Sequence, residues 1–320
     1  MRLAVPLELD PAALVGWRQG APIGELVGET MGTTWRIRLA VPERFDGPAL
    51  SAAIEARLDA ILAEMSHWRA DSVLGRFNRA AGGTWIVLPI DFATVLEAAM
   101  LVADKTGRAF DPAIGALVNV WGHGPDGPQE PPDESAIASN RARSGLQRLA
   151  YDATSHRLRQ PGALHLDLSG IAKGFAVDAL GAVLRAHECR HALVEIGGEL
   201  LGLGLRPDGD PWWVELETPV ASIAPFRVAL HQLAVATSGD YVRGRHTIDP
   251  RTGRPVEHAV AVSVIHASAM LADAWATALG VIDPREMADM AERERLSVRA
   301  LIRSGDGVTE WISPALSALL

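Results

Sequence analysis

Asp273 and Thr277 stand one helical turn apart in the apolar, alanine-rich stretch "SAMLADAWATALGVI", Ser268 to Ile282. In a helix that spacing puts both side chains on one face, and Ser268 is a suitable N-cap. A carboxylate is costly to bury unless it is paired, hydrogen-bonded or bound to a metal. A carboxylate and a hydroxyl so placed offer two oxygen ligands to a hard cation. Mg²⁺ suits so sparse a set, because it keeps waters and often bridges to phosphate groups. The same spacing also serves structure alone, with Asp273 accepting from backbone amides of a neighbouring loop and Thr277 bonding back to a carbonyl. Taken alone, an Asp-x-x-x-Thr pair favours that structural role.

Other segments offer chemistry with similar ambiguity. In "HLDLSGIAKGFAVDAL" a strand is expected to end at Asp167–Gly170 and a helix to begin near Ala172. Such a junction is an anion site, through free N–H groups and the helix dipole, and Lys173 adds charge. It also reads as a helix capped by Ser169 with Lys173 in solvent. In "ATSGDYVRGRHTIDPRTGRP", His246 and Asp249 flank a strand end and Pro250 suits an early turn position. Arg243 and Arg245 there serve either phosphate oxygens or solvent. "GRAFDPAIGALVNVWGHGP" sets Phe110 before a rigid turn, a wall for a flat ring or plain core, with Asp111 as a cap. "GGEL" after "ALVEI" reads as a hairpin turn.

The elements that position these residues mix hairpins with αβ units. Strand character marks "TMGTTWRIRLAV" and "AVAVSVIHAS", the latter alternating, and "ALHLDLSG" also reads as a strand. Apolar spacing predicts helices over "ALSAAIEARLDAILAEMSHW", "DFATVLEAAMLVADKTG", "ESAIASNRARSGLQRL" and "AKGFAVDALGAVLRAH", the second closed by Gly107. "RADSVLGRFNRAAGGTW" reads as turns, and residues 125–135 as a surface loop dense in Pro. The absence of regular alternation argues for an α+β fold, with mixed, largely antiparallel sheets and packed helices. Residues 1–320 are expected to form one domain, or two intimately packed lobes.

Bulk composition narrows the partners. The chain has 320 residues, 48% hydrophobic, and a formal net charge of -9, with no Lys/Arg run, which argues against nucleic acid. Its single cysteine, Cys189, rules out an internal disulfide framework or a multi-Cys metal site, and reads as a partly buried free thiol. Pro6, Glu8 and Asp10 break the N-terminal apolar run, and no uninterrupted apolar stretch is long enough to span a membrane. The expectation is a cytoplasmic protein as written, with no transmembrane segment; a presequence would change the compartment.

The order of "MGTTWRI", "SHWRADSVLGRFN", "FDPAIGALVNVWGHGP", "LDLSGIAKGFAVDAL", "LVEIGGEL", "ATSGDY", "HTIDPRTGRP" and "SAMLADAWATAL" resembles the successive motifs of the ApbE-like flavin transferases, the FAD:protein FMN transferases. The resemblance spans roughly Thr30 to Trp311. It implies an α+β fold with FAD in a cleft between its lobes, Mg²⁺ at the diphosphate, and transfer of FMN to a Thr or Ser hydroxyl of an acceptor flavoprotein with release of AMP. By position it implies flavin contacts from Met31 and Trp68, and cleft walls from Phe110, Asp111 and Pro112. Asp167, Ser169, Lys173 and Ile248 are implied to bind FAD. The Ala172 carbonyl and the side chains of Asp273 and Thr277 are implied to hold the metal. His246 falls near the reacting centre, and either it or Asp273 is the candidate base, with Asp273 preferred. A FAD pyrophosphatase and a non-catalytic flavin-binding protein are the rival readings. This chain departs from the pattern at Ala276, where some relatives carry a second acid, suggesting fewer charges around the metal. His123 stands where Phe is common. The lipoprotein signal of many relatives is missing, so a periplasmic, membrane-associated location is the alternative compartment.

Overall fold

The coordinates are a computed structural model describing residues 1–6, 9–241, 244–305 and 307–320. Glu8 and Arg243 lie outside the described residues. The architecture is α+β, built on an eight-stranded sheet whose neighbouring strands are all antiparallel. From one edge to the other its strands are Gly307–Ile312, Ser297–Ser304, Ala259–His266, Leu233–Gly239, Glu199–Leu203, Ala192–Ile196, Thr33–Ala40 and Ile23–Thr30.

Both faces of the sheet are covered. Helices Ala172–Ala186 and Ala269–Val281 pack on one face, with Gly47–Met65 and Ile90–Lys105 beyond them. On the other face Val214, Phe226 and Leu230, from a small sheet made by Arg2–Ala4, Phe226–Leu230 and Trp212–Glu215, pack with Val235 and Ile265. This explains one difference from the sequence reading: Ala259–Ile265 is buried at every position rather than at alternate ones. A central strand covered on both faces is apolar throughout. Of the pair Trp212 and Trp213, only Trp212 is fully buried, its indole N–H bonded to the Leu203 carbonyl at 2.9 Å.

Three local expectations need correction. "RADSVLGRFN" contains a helix, Val73–Arg79, because Ser72 caps it by accepting from the Gly75 N–H at 2.8 Å. The helix beginning at Glu134 ends at Ala142; Gly145, with φ of 102°, separates it from a short 3₁₀ turn. "ALHLDLSG" is irregular chain. Its backbone is met by side-chain amides instead of a strand: Asn78 bonds both the N–H and carbonyl of Leu166, and buried Gln160 does the same for Leu164. Gly107 does close the Ile90–Lys105 helix, with φ of 55°.

The Ala-rich helix Ala269–Val281 and the helix Ala172–Ala186 cap one another. Asp178 accepts from the Ala269 and Met270 amides at 2.9 and 3.0 Å and from the Ser268 hydroxyl at 2.7 Å. In return, Asp273 Oδ2 accepts from the Gly174 amide in the first turn of the other helix at 3.0 Å. Small residues make this approach possible. A Cβ on Gly174 would lie 2.2 Å from the Ala269 carbonyl oxygen.

Cys189 is fully buried rather than partly so, 1% exposed, and burial with Glu188 nearby pushes its thiol up to about 11. With so little thiolate and no access, the native protein should resist iodoacetamide at pH 8. Unfolding in guanidinium should release one rapidly alkylated thiol, counted by mass spectrometry; equal rates in both states would contradict the packing.

Candidate active site

One cavity of about 420 Å³ opens where the two mutually capped helices meet the turns at the sheet end. Asp273, Thr277, Ala172 and Lys173 line it, brought together by the close contact at Gly174. Gly170 lets the preceding turn approach as well: a Cβ there would stand 3.0 Å from Thr277 Oγ1. Ala276 is 1% exposed and does not line the cavity.

The remaining residues singled out by the resemblance gather around the same space. Met31 and Gly32 form the turn between the first two strands of the sheet, with φ of 51° and 70°. Positive φ at both central positions fits the twist of a hairpin, but a Met there is strained, and such strain collects at functional sites. Trp68 stands at the mouth, 63% exposed, its ring tilted against His67. Phe110, Asp111, Asp167, Ser169 and Ile248 also line the cleft. Pro112 does not: it is buried, and its carbonyl accepts from the Asp167 amide at 2.8 Å, so it supports the wall from behind. Asp111 is not a helix cap. Its carboxylate accepts from the Ala113 and Leu146 amides at 2.8 and 3.0 Å, and burial raises its pKa.

The helix N-terminus differs from the expected cradle of free amides. Ile171 and Ala172 donate to the Leu168 carbonyl, Gly174 to Asp273, and Phe175 to the Ile171 carbonyl. Ser169 is not the cap; that position belongs to Ile171, which makes no side-chain cap bond. Positive potential here comes from the Lys173 ammonium and the helix dipole.

Glu199 is the residue the sequence reading missed. It follows the Gly197-Gly198 turn, lines the cleft, is 2% exposed, and pairs with Lys173. Burial pushes its carboxyl up to about 7, with Asp273 adding to the rise and Lys173 opposing it. Asp273 is raised for the same first reason, burial, offset by Lys173 and the Gly174 N–H. Two buried carboxylates share the field of one ammonium, and Glu199 Oε2 is buried without a hydrogen-bond partner among the described residues. A divalent hard cation fits this imbalance: excess negative charge, an orphaned oxygen, and a carboxylate with a hydroxyl on one helical face. The signal legible in the sequence was an acid opening an apolar strand, which "GGEL" read as a turn passes over.

His246 completes the cleft. Its Nδ1 lies 2.9 Å from the Gly244 carbonyl oxygen. A carbonyl only accepts, so Nδ1 carries the proton and the neutral ring keeps its lone pair on Nε2. Arg245 pairs with Glu257 away from this ring.

The fold is α+β with a largely antiparallel sheet, and its aromatic-walled cleft ends in an acidic, lysine-bearing pocket. The ApbE family model matches residues 31–302, and the chain belongs to that family. It is 34% identical over 310 residues to the FAD:protein FMN transferase of Klebsiella pneumoniae (strain 342), covering 92% of this chain and 89% of that protein. To the Vibrio cholerae (serotype O1, strain O395) FAD:protein FMN transferase it is 33% identical, covering 96% of each. The solved flavin transferase ApbE from Vibrio cholerae superposes with a TM-score of 0.88 at 34% identity, covering 93% of this chain and all of that one. The apo flavinyl transferase ApbE of Pseudomonas stutzeri gives 0.86, also at 34% identity, covering 93% and 96%.

Proposed function

We propose that this protein transfers FMN from FAD to a Thr or Ser hydroxyl of an acceptor protein, releasing AMP, with Mg²⁺ held by Asp273, Thr277 and the Ala172 carbonyl. The observation that carries this reading is the convergence of Asp273, Thr277, Lys173 and His246 on one aromatic-walled cleft. Mg²⁺, when bound, supplies charge neutralisation at the diphosphate. Met31, Trp68 and Phe110 give the isoalloxazine an apolar, partly aromatic slot. Lys173 adds positive charge on the diphosphate side, and Glu199 holds its ammonium in place. In the reaction the acceptor oxygen bonds to the FMN phosphorus, and the bond from that phosphorus to the AMP oxygen breaks.

The acceptor hydroxyl must lose its proton during attack. The sequence ranks Asp273 first as base, but its hydrogen bonding supports a different role. Asp273 is 5% exposed and spends one oxygen on the Gly174 amide, which suits a fixed ligand. His246 has a directed lone pair on a partly exposed ring, which suits proton transfer. Replacing His246 by Ala should lower transfer by about 10²- to 10⁴-fold while leaving FAD affinity unchanged. Transfer at the wild-type rate would remove the base assignment.

The function itself is tested by intact-mass analysis of a candidate acceptor after incubation with FAD and Mg²⁺. An added FMN mass with AMP in solution supports transfer. Free FMN without an adduct means hydrolysis, and unchanged FAD means a carrier. Nothing in the described residues bears on the compartment, although no described helix is long and apolar enough to cross a membrane.

A further inference from the structure

His123 sits in the turn after helix Gly115–Val120 and has no part in the mechanism so far. Its ring faces that of His246 edge-on, with centroids 6.3 Å apart and planes at 79°. Both rings line the cleft. The two are anchored very differently. The turn bearing His123 is fixed from several sides: the Trp121 indole donates to the Gly253 carbonyl at 2.8 Å, and the His123 amide donates to the Val118 carbonyl at 3.0 Å. The His246 ring is oriented by a bond within its own loop, to Gly244 two residues away, and its amide uses that same carbonyl. The Gly244 bond sets the tautomer, while the Arg245–Glu257 pair and the Val256 amide on the Thr247 carbonyl hold the backbone on either side, leaving the plane of the ring itself to be set. An outside reference is needed to fix the plane of the ring relative to the cleft.

We propose that the ring of His123 is a positioning residue for His246, its edge-to-face contact fixing the plane in which Nε2 is presented to the acceptor hydroxyl. This rests on the reading of His246 as the base. Edge-to-face packing has a defined geometry, and small errors in aim are expensive in proton transfer. Burial, with the facing His246, lowers the His123 pKa, and a hydrogen bond to the backbone of Arg245, next to His246, opposes them. Its role needs an aromatic edge and no titration.

The test uses the full-length protein with FAD, Mg²⁺ and an acceptor that becomes flavinylated. His123→Ala should lower kcat for transfer by about 10- to 100-fold, with the Kd for FAD unchanged within about twofold. His123→Phe, which keeps the ring edge, should restore most of the loss. On a His246→Ala background, His123→Ala should cost nothing further. A wild-type kcat in His123→Ala, failure of Phe to rescue, a matching change in FAD affinity, or an equal loss without His246 would each overturn the proposal. If His246→Ala is inactive while His123→Ala is fully active, this inference alone fails. If His246→Ala retains wild-type transfer, the base reading fails and takes this inference with it.

Discussion

Asp273→Ala should reduce flavin transfer by at least about a thousandfold at saturating FAD and Mg²⁺, while FAD still binds within about tenfold. The affinity should survive because the flavin end of the cleft, with Met31, Trp68 and Phe110, is built by other segments. The rate should not, because Asp273 is the only acid on the helix face that lines the cleft with Thr277. Asp273 also caps the Gly174 amide, so a simple truncation mixes chemistry with packing. Asp273→Asn separates them, since its amide oxygen still accepts from Gly174 while the charge is gone. It should be as inactive as the Ala variant. The metal-free Asn protein should melt no lower than wild type, because burial already disfavours the charged form that the substitution removes. Adduct formation by intact mass, FAD binding by calorimetry and melting by circular dichroism check the three statements. Transfer by Asp273→Asn within tenfold of wild type would overturn the assignment of this residue to the metal.

Gly174→Ala should be a severely damaging single-methyl change. The added Cβ would lie 2.2 Å from the Ala269 carbonyl oxygen, 2.6 Å from its carbon and 2.8 Å from Asp273 Cβ. Two of these atoms are helix backbone, which cannot rotate away. The helices must therefore separate, and the expected loss is about 3 kcal/mol. Gly181 lies in the same helix and provides the control. A Cβ there meets Leu201 Cδ2 at 2.7 Å, the far end of a flexible side chain, so Gly181→Ala should cost far less. Denaturant unfolding of both variants compares them. In the part of Gly174→Ala that still folds, transfer should fall as well, because Asp273 moves with the separated helix. Equal stability losses at the two glycines would contradict the reading of the Gly174 contact as the less yielding of the two.

What was legible in the sequence divides by the range of the interactions. The helix carrying Asp273, its Ser268 cap and the Gly107 stop are local, and residue type with spacing sufficed to place them. Period-two alternation failed at Ala259–His266 because a second sheet covers the face it assigned to solvent. "ALHLDLSG" was misplaced because its partners are side-chain amides of Asn78 and Gln160, which propensity does not register. Within the cleft, ordered motifs located the walls, but one wall residue, Pro112, proved to be support. Glu199 escaped notice because its chemistry depends on Lys173 and Asp273, which reach it only through the fold. The proposed base, His246, rests on a tautomer, a property of one carbonyl's position rather than of the word "HTIDP".

The reciprocal capping of the two helices also bears on how the chain acquires its activity. Asp273 and Gly174 are 99 residues apart, and Asp178 closes a span of similar length. Each helix keeps first-turn amides, Gly174 in one and Ala269 and Met270 in the other, for a carboxylate delivered from far along the chain, and closure entropy opposes that encounter early in folding. The proposed metal pocket therefore has no local precursor. A chain with every helix formed but this clasp open would have native secondary structure and no cation site. In this protein, competence for catalysis and completion of this long-range docking step are one event.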